Sequence, residues 1–225
     1  MNILIIAAME KERNLLINIV EEVSDYSING ISFSKGKIGI HQVYIAKCGI
    51  GKVNSALNTF RLITIINPDL IINSGVAGGA GIPIGSVMIA DSVAYWDVWC
   101  GPGTTYGQTD GNPLFFLPDP SILGIAGSVN SNIISGLICS GDKFITSANE
   151  INYIKSHFPS VIAVDMESAS IAQTCLTLNI PFAIIRVVSD TPGMGENIEQ
   201  YKNFWAEAPL KTFNVIKSIL LKLDK

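Results

Sequence analysis

The chain has 225 residues, 48% of them hydrophobic and only 15% charged, with a formal net charge of −4. That length buries one substantial core, and the apolar balance suits a sheet covered on both faces or a subunit that buries surface in an oligomer. Weak negative charge and scattered arginines (Arg13, Arg61, Arg186) leave no footprint for nucleic acid or an anionic membrane, so a small neutral or weakly charged ligand fits better.

Short apolar runs alternate with amphipathic segments along the chain. Asn2 to Ala8 reads as a strand. Glu10 to Val23 reads as a helix whose stripe is Leu15, Leu16, Ile19, Val20 and Val23. The apolar run Ile3 to Met9 is short, lacks a basic leader and continues into Glu10-Lys11-Glu12-Arg13, so it is not expected to be a signal peptide. No apolar run approaches the ~20 residues that span a bilayer, and a cytoplasmic location is expected. A β-rich stretch runs from Ile31 to Cys48, then a helix over Lys52 to Ile66. The strand Asp69 to Asn73 leads into a Gly-rich turn, Ser74 to Gly81. Ser86 to Trp96 is strand-like, and Gly101 to Pro120 is a Gly- and Pro-rich excursion. Helix Ser121 to Ser131, strand Ile134 to Cys139 and helix Asn149 to His157 come next. Strand Val161 to Val164, helix Glu167 to Leu178, strand Phe182 to Val188 and a C-terminal helix to Leu223 complete the order.

Continuous Val/Ile runs separated by helices predict one α/β domain over residues 1–225, with a mixed, largely parallel central sheet. Cys48, Cys100, Cys139 and Cys175 show no zinc or redox spacing and read as free thiols in a reducing compartment, so no metal is expected.

Ligands of such sheets bind beyond the carboxyl ends of strands, which directs attention to the residues just after each apolar run. Glu12 precedes Leu15, Leu16, Ile19 and Val20 by three, four, seven and eight residues, so helical spacing turns it inward where a hydrophobe is expected. Glu10 shares a face with Arg13 and Asn14 and should meet water. Arg186 interrupts the apolar strand Phe182 to Val188, and a buried guanidinium requires acids. Asp190 closes that strand beside Ser189. After Val164 stand Asp165, Met166 and Glu167; Glu167 shares a stripe with Ile171, Cys175 and Leu178, whereas Asp165 suits a helix cap or a supporting position.

Two glycine motifs fail as phosphate or dinucleotide loops. Gly49-Ile50-Gly51-Lys52 is followed by Val53 instead of Ser or Thr, and Gly75-Val76-Ala77-Gly78-Gly79 lacks the second glycine of the dinucleotide fingerprint. The latter still lets backbone at Val76, Ala77 and Gly78 approach a ligand. His41 and His157, in polar surroundings, are expected at the surface.

The set MEKE, GIGKVNSA, NSGVAGG, SGDKFI, VDMES and RVVSD, in this order and spacing, resembles the nucleoside phosphorylase/nucleosidase superfamily, nearest its bacterial 5′-methylthioadenosine/S-adenosylhomocysteine nucleosidases. Any one motif is weak; six in register are specific. The resemblance implies a three-layer αβα sandwich, a homodimer, no metal or organic cofactor, and hydrolysis of the N-glycosidic bond of a 5′-substituted adenosine. It further implies that Glu12 activates water, Asp190 protonates adenine N7, and Glu167 binds the ribose hydroxyls with Met166 against the sugar. Arg186 would order water and acids, and Ser189 would support Asp190. Phe144 would stack on adenine, the Ile145 backbone would read its edge, and Met9, Ile50 and Phe204 would surround the 5′ group. Val76 stands where relatives commonly carry Ser or Thr, Asp165 is shorter than the usual Glu, and the 95–116 loop, expected at or near the dimer contact, diverges. A phosphorylase, a futalosine or AMP nucleosidase, and a non-catalytic nucleoside-binding relative are the alternatives.

Overall fold

The computed structural model describes residues 1–130, 132–194, 196–207 and 210–223. Among these residues, nine strands and seven helices occur in the order β1 (Asn2–Ala7), α1 (Glu10–Ile17), β2 (Glu21–Ile28), β3 (Ile31–Ile38), β4 (His41–Lys47), α2 (Lys52–Ile66), β5 (Leu70–Gly79), β6 (Val87–Tyr95), α3 (Pro120–Val129), β7 (Ile134–Ser140), α4 (Ala148–His157), β8 (Val161–Asp165), α5 (Ser168–Thr177), β9 (Phe182–Asp190), α6 (Asn197–Glu207) and α7 (Leu210–Lys222). No described helix is long and apolar enough to cross a membrane.

The sheet is mixed. β1 lies parallel between β4 and β5, and β5–β9, β6–β7 and β7–β8 are also parallel, while β2–β3, β3–β4 and β6–β9 are antiparallel. A two-residue antiparallel contact, Gly78 to Val164 and Gly79 to Ala163, closes β5, β9, β6, β7 and β8 into a ring. Helices cover both faces. Leu4 and Ile6 of β1 point into one core with Leu62 and Ile66 of α2 and Ile171 of α5. Ile3 and Ile5 point into the other with Leu16, Ile122 and Ile219 from α1, α3 and α7. The continuous apolar runs therefore reflect burial on both sides of one strand.

Several expectations change. α1 ends at Ile17 because Asn18 closes it, and Val23 belongs to β2, an exposed edge strand. Asn29-Gly30, both at positive φ, turns β2 into β3, and this two-residue hairpin signal was legible in the sequence. The run Ser74–Gly79 is no turn. It continues β5, paired with β9 from Ile71 to Gly78. Its glycines serve close approach, since a Cβ on Gly79 would come within 2.7 Å of a Val188 methyl. The C-terminal segment makes two helices, with 208–209 between them outside the described residues; so is Ser131, the expected end of α3. His41 is buried, because β4 alternation turns His41, Val43 and Ile45 to the same inward face. His157 is exposed as expected.

Candidate active site

The carboxyl ends of β5, β8 and β9 meet the start of α1 and the loop before α2 around a cleft. Met9, Glu12, Ile50, Val76, Ala77, Gly78, Phe144, Asp165, Met166, Glu167, Ser189 and Asp190 line it, together with Ala8, Val164 and Tyr201.

Glu12 is buried near the start of α1. One carboxylate oxygen accepts the Met9 N–H at 2.8 Å and the other the Val76 N–H at 3.2 Å. The first bond caps the helix, so the inward-facing carboxylate also closes the head of α1. Space for the carboxylate comes from Gly75, where a Cβ would fall 2.8 Å from Glu12 Oε1 and 3.4 Å from Arg186 Nη1. Burial raises the Glu12 pKa above the ordinary range, opposed by the two N–H groups and by Arg186.

Arg186 lies under the cleft, opposite Gly75 in the β5–β9 register, and is only 2% exposed. Its Nε and Nη2 donate to Asp165 Oδ2 at 3.0 and 2.8 Å, and Nη2 also reaches Ser168 Oγ at 2.8 Å and Asn73 Oδ1. Asp165 accepts further hydrogen bonds from the Ser140 and Ser168 hydroxyls and from the Ser168 N–H at the head of α5. Asp165 therefore both caps α5 and neutralises Arg186.

Glu167 is the residue just before α5, but its side chain makes no cap hydrogen bond with that helix. Its Oε1 accepts the Gly51 N–H at 2.9 Å. Burial, then the charge of Asp165, pushes its pKa up to about 7 against the pull of Gly51 and Arg186. Asp190 Oδ1 accepts the Ser189 hydroxyl at 2.7 Å, and Oδ2 accepts Asn197 Nδ2 at 3.1 Å. Burial raises Asp190 too, opposed by those two donors.

These three carboxyls hold their protons more tightly folded than unfolded. The resulting stability is complete below the ordinary values, 4.5 for the two glutamates and 3.8 for Asp190, and is lost as pH rises through the folded values, about 7 for Glu167. The ligand-free melting temperature should therefore fall as pH rises from ~5 to ~8, with a shallower slope in Glu167→Gln. Parallel melting curves for the two proteins would contradict this.

Three expected site residues do not line the cleft. Arg186 stands beneath it. Ile145 lines a small adjoining recess with Lys143, Pro192 and Asp190, and its carbonyl accepts Asn197 Nδ2 at 2.9 Å. Phe204 backs Glu12 from a small cavity shared with Gly75, Val187 and Phe213. Tyr201, one helical turn earlier on α6, faces the cleft instead, its hydroxyl 3.4 Å from Met9 Sδ. Its three-residue spacing from Phe204 was a usable signal. Asn197 and Ser168 carried none, since their partners are remote in sequence or close the strand that precedes the helix. Among the described residues, no three His, Cys, Asp or Glu side chains are grouped to hold a metal ion.

The Phosphorylase superfamily profile matches residues 2–221. An Exiguobacterium 5′-methylthioadenosine/S-adenosylhomocysteine nucleosidase is 36% identical over 233 residues, covering 100% of both chains. The nucleosidase from S. pneumoniae bound to the transition-state inhibitor MT-ImmA superposes with a TM-score of 0.94 at 37% identity, covering 100% of both chains. The Streptococcus pyogenes S-adenosylhomocysteine nucleosidase in complex with 5-methylthiotubericidin gives 0.94 at 34%, covering 99% of this chain and 97% of that one. The protein belongs to the phosphorylase superfamily and, within it, to the 5′-methylthioadenosine/S-adenosylhomocysteine nucleosidase family.

Proposed function

We propose that the chain acts as one domain that hydrolyses the N-glycosidic bond of 5′-methylthioadenosine or S-adenosylhomocysteine, releasing adenine and a 5-substituted ribose. The observation that carries this reading is the convergence of Glu12, Glu167 and Asp190, three buried acids from separate elements, on one cleft. Cleavage builds oxocarbenium character on the ribose and negative charge on the purine. Asp190, with its raised proton affinity, delivers a proton to N7 of the departing base. Glu12, held by two N–H groups, takes a proton from the attacking water. Glu167 accepts the ribose hydroxyls beside Met166, and carboxylate charge favours the cationic sugar. Phe144 covers the base, and Asn197 holds Asp190 and the Ile145 carbonyl in one frame. Met9, Ile50 and Tyr201 receive the 5′ substituent, while Phe204 supports Glu12 from behind.

Water is favoured over phosphate as the nucleophile. Among the described residues no Lys or Arg lines the cleft, and Arg186 beneath it is already engaged by Asp165, Ser168 and Asn73. Incubation with 5′-methylthioadenosine, S-adenosylhomocysteine or 5′-deoxyadenosine in phosphate-free buffer should release free adenine, read by chromatography. A requirement for phosphate would sink the hydrolase reading.

A homodimer is supported by exposed Val53, Leu57 and Phe60 along one face of α2, and by exposed Trp99 and Leu117 on the segment between β6 and α3. Light scattering at the mass of a single chain would rule it out. The described cysteines are all free, which supports a reducing, cytoplasmic setting; retention of a tagged copy in a soluble cell extract checks it.

A further inference from the structure

Beside the cleft, three loops meet through charged groups that the proposed reaction does not use. Lys52, at the first turn of α2, donates its backbone N–H to Asp142 Oδ1 and its Nζ to Asp97 Oδ2, both at 2.7 Å. Asp97 Oδ2 also accepts the Asp142 N–H at 2.8 Å. The triangle joins the segment after β6, the loop between β7 and α4, and the head of α2. Each of the last two touches the site directly. Gly51, which gives its N–H to Glu167, precedes Lys52, and Phe144 lies two residues after Asp142.

Packing leaves these loops little freedom. Gly51 sits at φ 89°, and a Cβ there would fall 3.0 Å from Asp142 Oδ1. The Trp96 N–H donates to the Ser140 carbonyl at 3.0 Å, and a Cβ on Gly141 would fall 2.4 Å from the Trp96 ring. Two successive N–H groups at the head of α2 are thus shared between two carboxylates. Glu167 takes one inside the cleft, and Asp142 takes the other outside it.

We infer that Asp142, braced by Lys52 and Asp97, is a positioning residue that aims the Gly51 N–H at Glu167 and sets Phe144 over the cleft. The inference rests on the nucleosidase reading and deepens it. The failed phosphate-loop motif at Gly49 to Lys52 thereby acquires a purpose: its backbone grips a carboxylate of the protein instead of a phosphate of a ligand. The divergent 95–116 loop is pinned to the reaction centre through Asp97.

The test compares Asp142→Ala, Asp142→Asn and Asp97→Asn. Asp142 is exposed, so its replacement leaves the core intact. Loss of aim in Asp142→Ala should lower kcat/KM for methylthioadenosine by about 10- to 100-fold. Glu167 is faced by Asp165 and Glu12, which favour its protonated form, by Arg186 and the Gly51 N–H, which favour the charged form, and by the Cys48 thiol. Weakening the Gly51 bond removes one of the charge-favouring groups, so the acid limb of the pH profile should move up by about half a pH unit. Amide exchange at Gly51 and Lys52 should accelerate. Asp142→Asn keeps an oxygen for the Lys52 N–H and should recover most of the loss. Asp97→Asn should give a smaller change in the same direction. A slower Asp142→Ala enzyme with an unmoved acid limb, or unchanged amide exchange, overturns the inference. Wild-type protein that releases no adenine defeats the nucleosidase reading instead, while the exchange measurement still decides whether Asp142 holds the loop.

Discussion

Asp190→Asn is expected to lower kcat for adenine release about 10³-fold, because a positioned general acid contributes 10²–10⁴-fold, while the melting temperature stays within a few degrees. The amide fits the same place. Its oxygen can face Asn197 Nδ2, and its nitrogen can donate to Ser189 Oγ. The Ser189 hydroxyl then turns to the Ala77 carbonyl, which it already faces at 3.4 Å. What disappears is the transferable proton. A ribosyl substrate whose leaving group departs without protonation should therefore be cleaved almost as well by the variant as by the native protein. Near-normal adenine release by Asp190→Asn, measured by chromatography at saturating substrate, would remove Asp190 from the role of acid.

Glu12→Gln should be comparably damaging, again about 10³-fold in kcat, for a different reason. Glu12 accepts two backbone N–H groups at once, whereas a glutamine side chain offers one oxygen. Either Met9 or Val76 then faces an amide nitrogen, which costs about 1–3 kcal/mol. Removing a carboxylate whose burial raises its pKa offsets much of that loss, so thermal stability should change little. Nucleoside affinity should survive, because Glu167 and the purine-facing groups are untouched. Wild-type turnover in Glu12→Gln, or loss of nucleoside binding together with turnover, would place Glu12 elsewhere in the mechanism.

The three acids were visible in the sequence because each breaks a local rule. Glu12 stands on an apolar stripe, Asp190 ends an apolar strand, and Glu167 comes just after one. Arg186 was visible for the same reason, since a guanidinium inside Phe182 to Val188 demands a partner. Its partner was not. Only the chain crossing between β8 and β9 selects Asp165, which then turns away from solvent to hold both Arg186 and the head of α5. Asn197 was equally silent, because its two acceptors lie 52 and 7 residues away. The glycine run of β5 misled for a physical reason: glycine marks turns and close approaches alike, and Gly75 serves the second by leaving room for Glu12.

By itself, the amino-acid order determined the alternation of apolar runs and helices, the burial of one arginine and the presence of orphan acids after strands. Those are consequences of periodicity and of the cost of burying charge, which act locally. Tertiary structure alone decided which of these groups share a cleft and which support it from below. It bends β5 to β9 into a ring, brings residues more than 100 positions apart within hydrogen-bonding reach, as Gly51 and Glu167 show, and so sets each carboxyl's affinity for its proton.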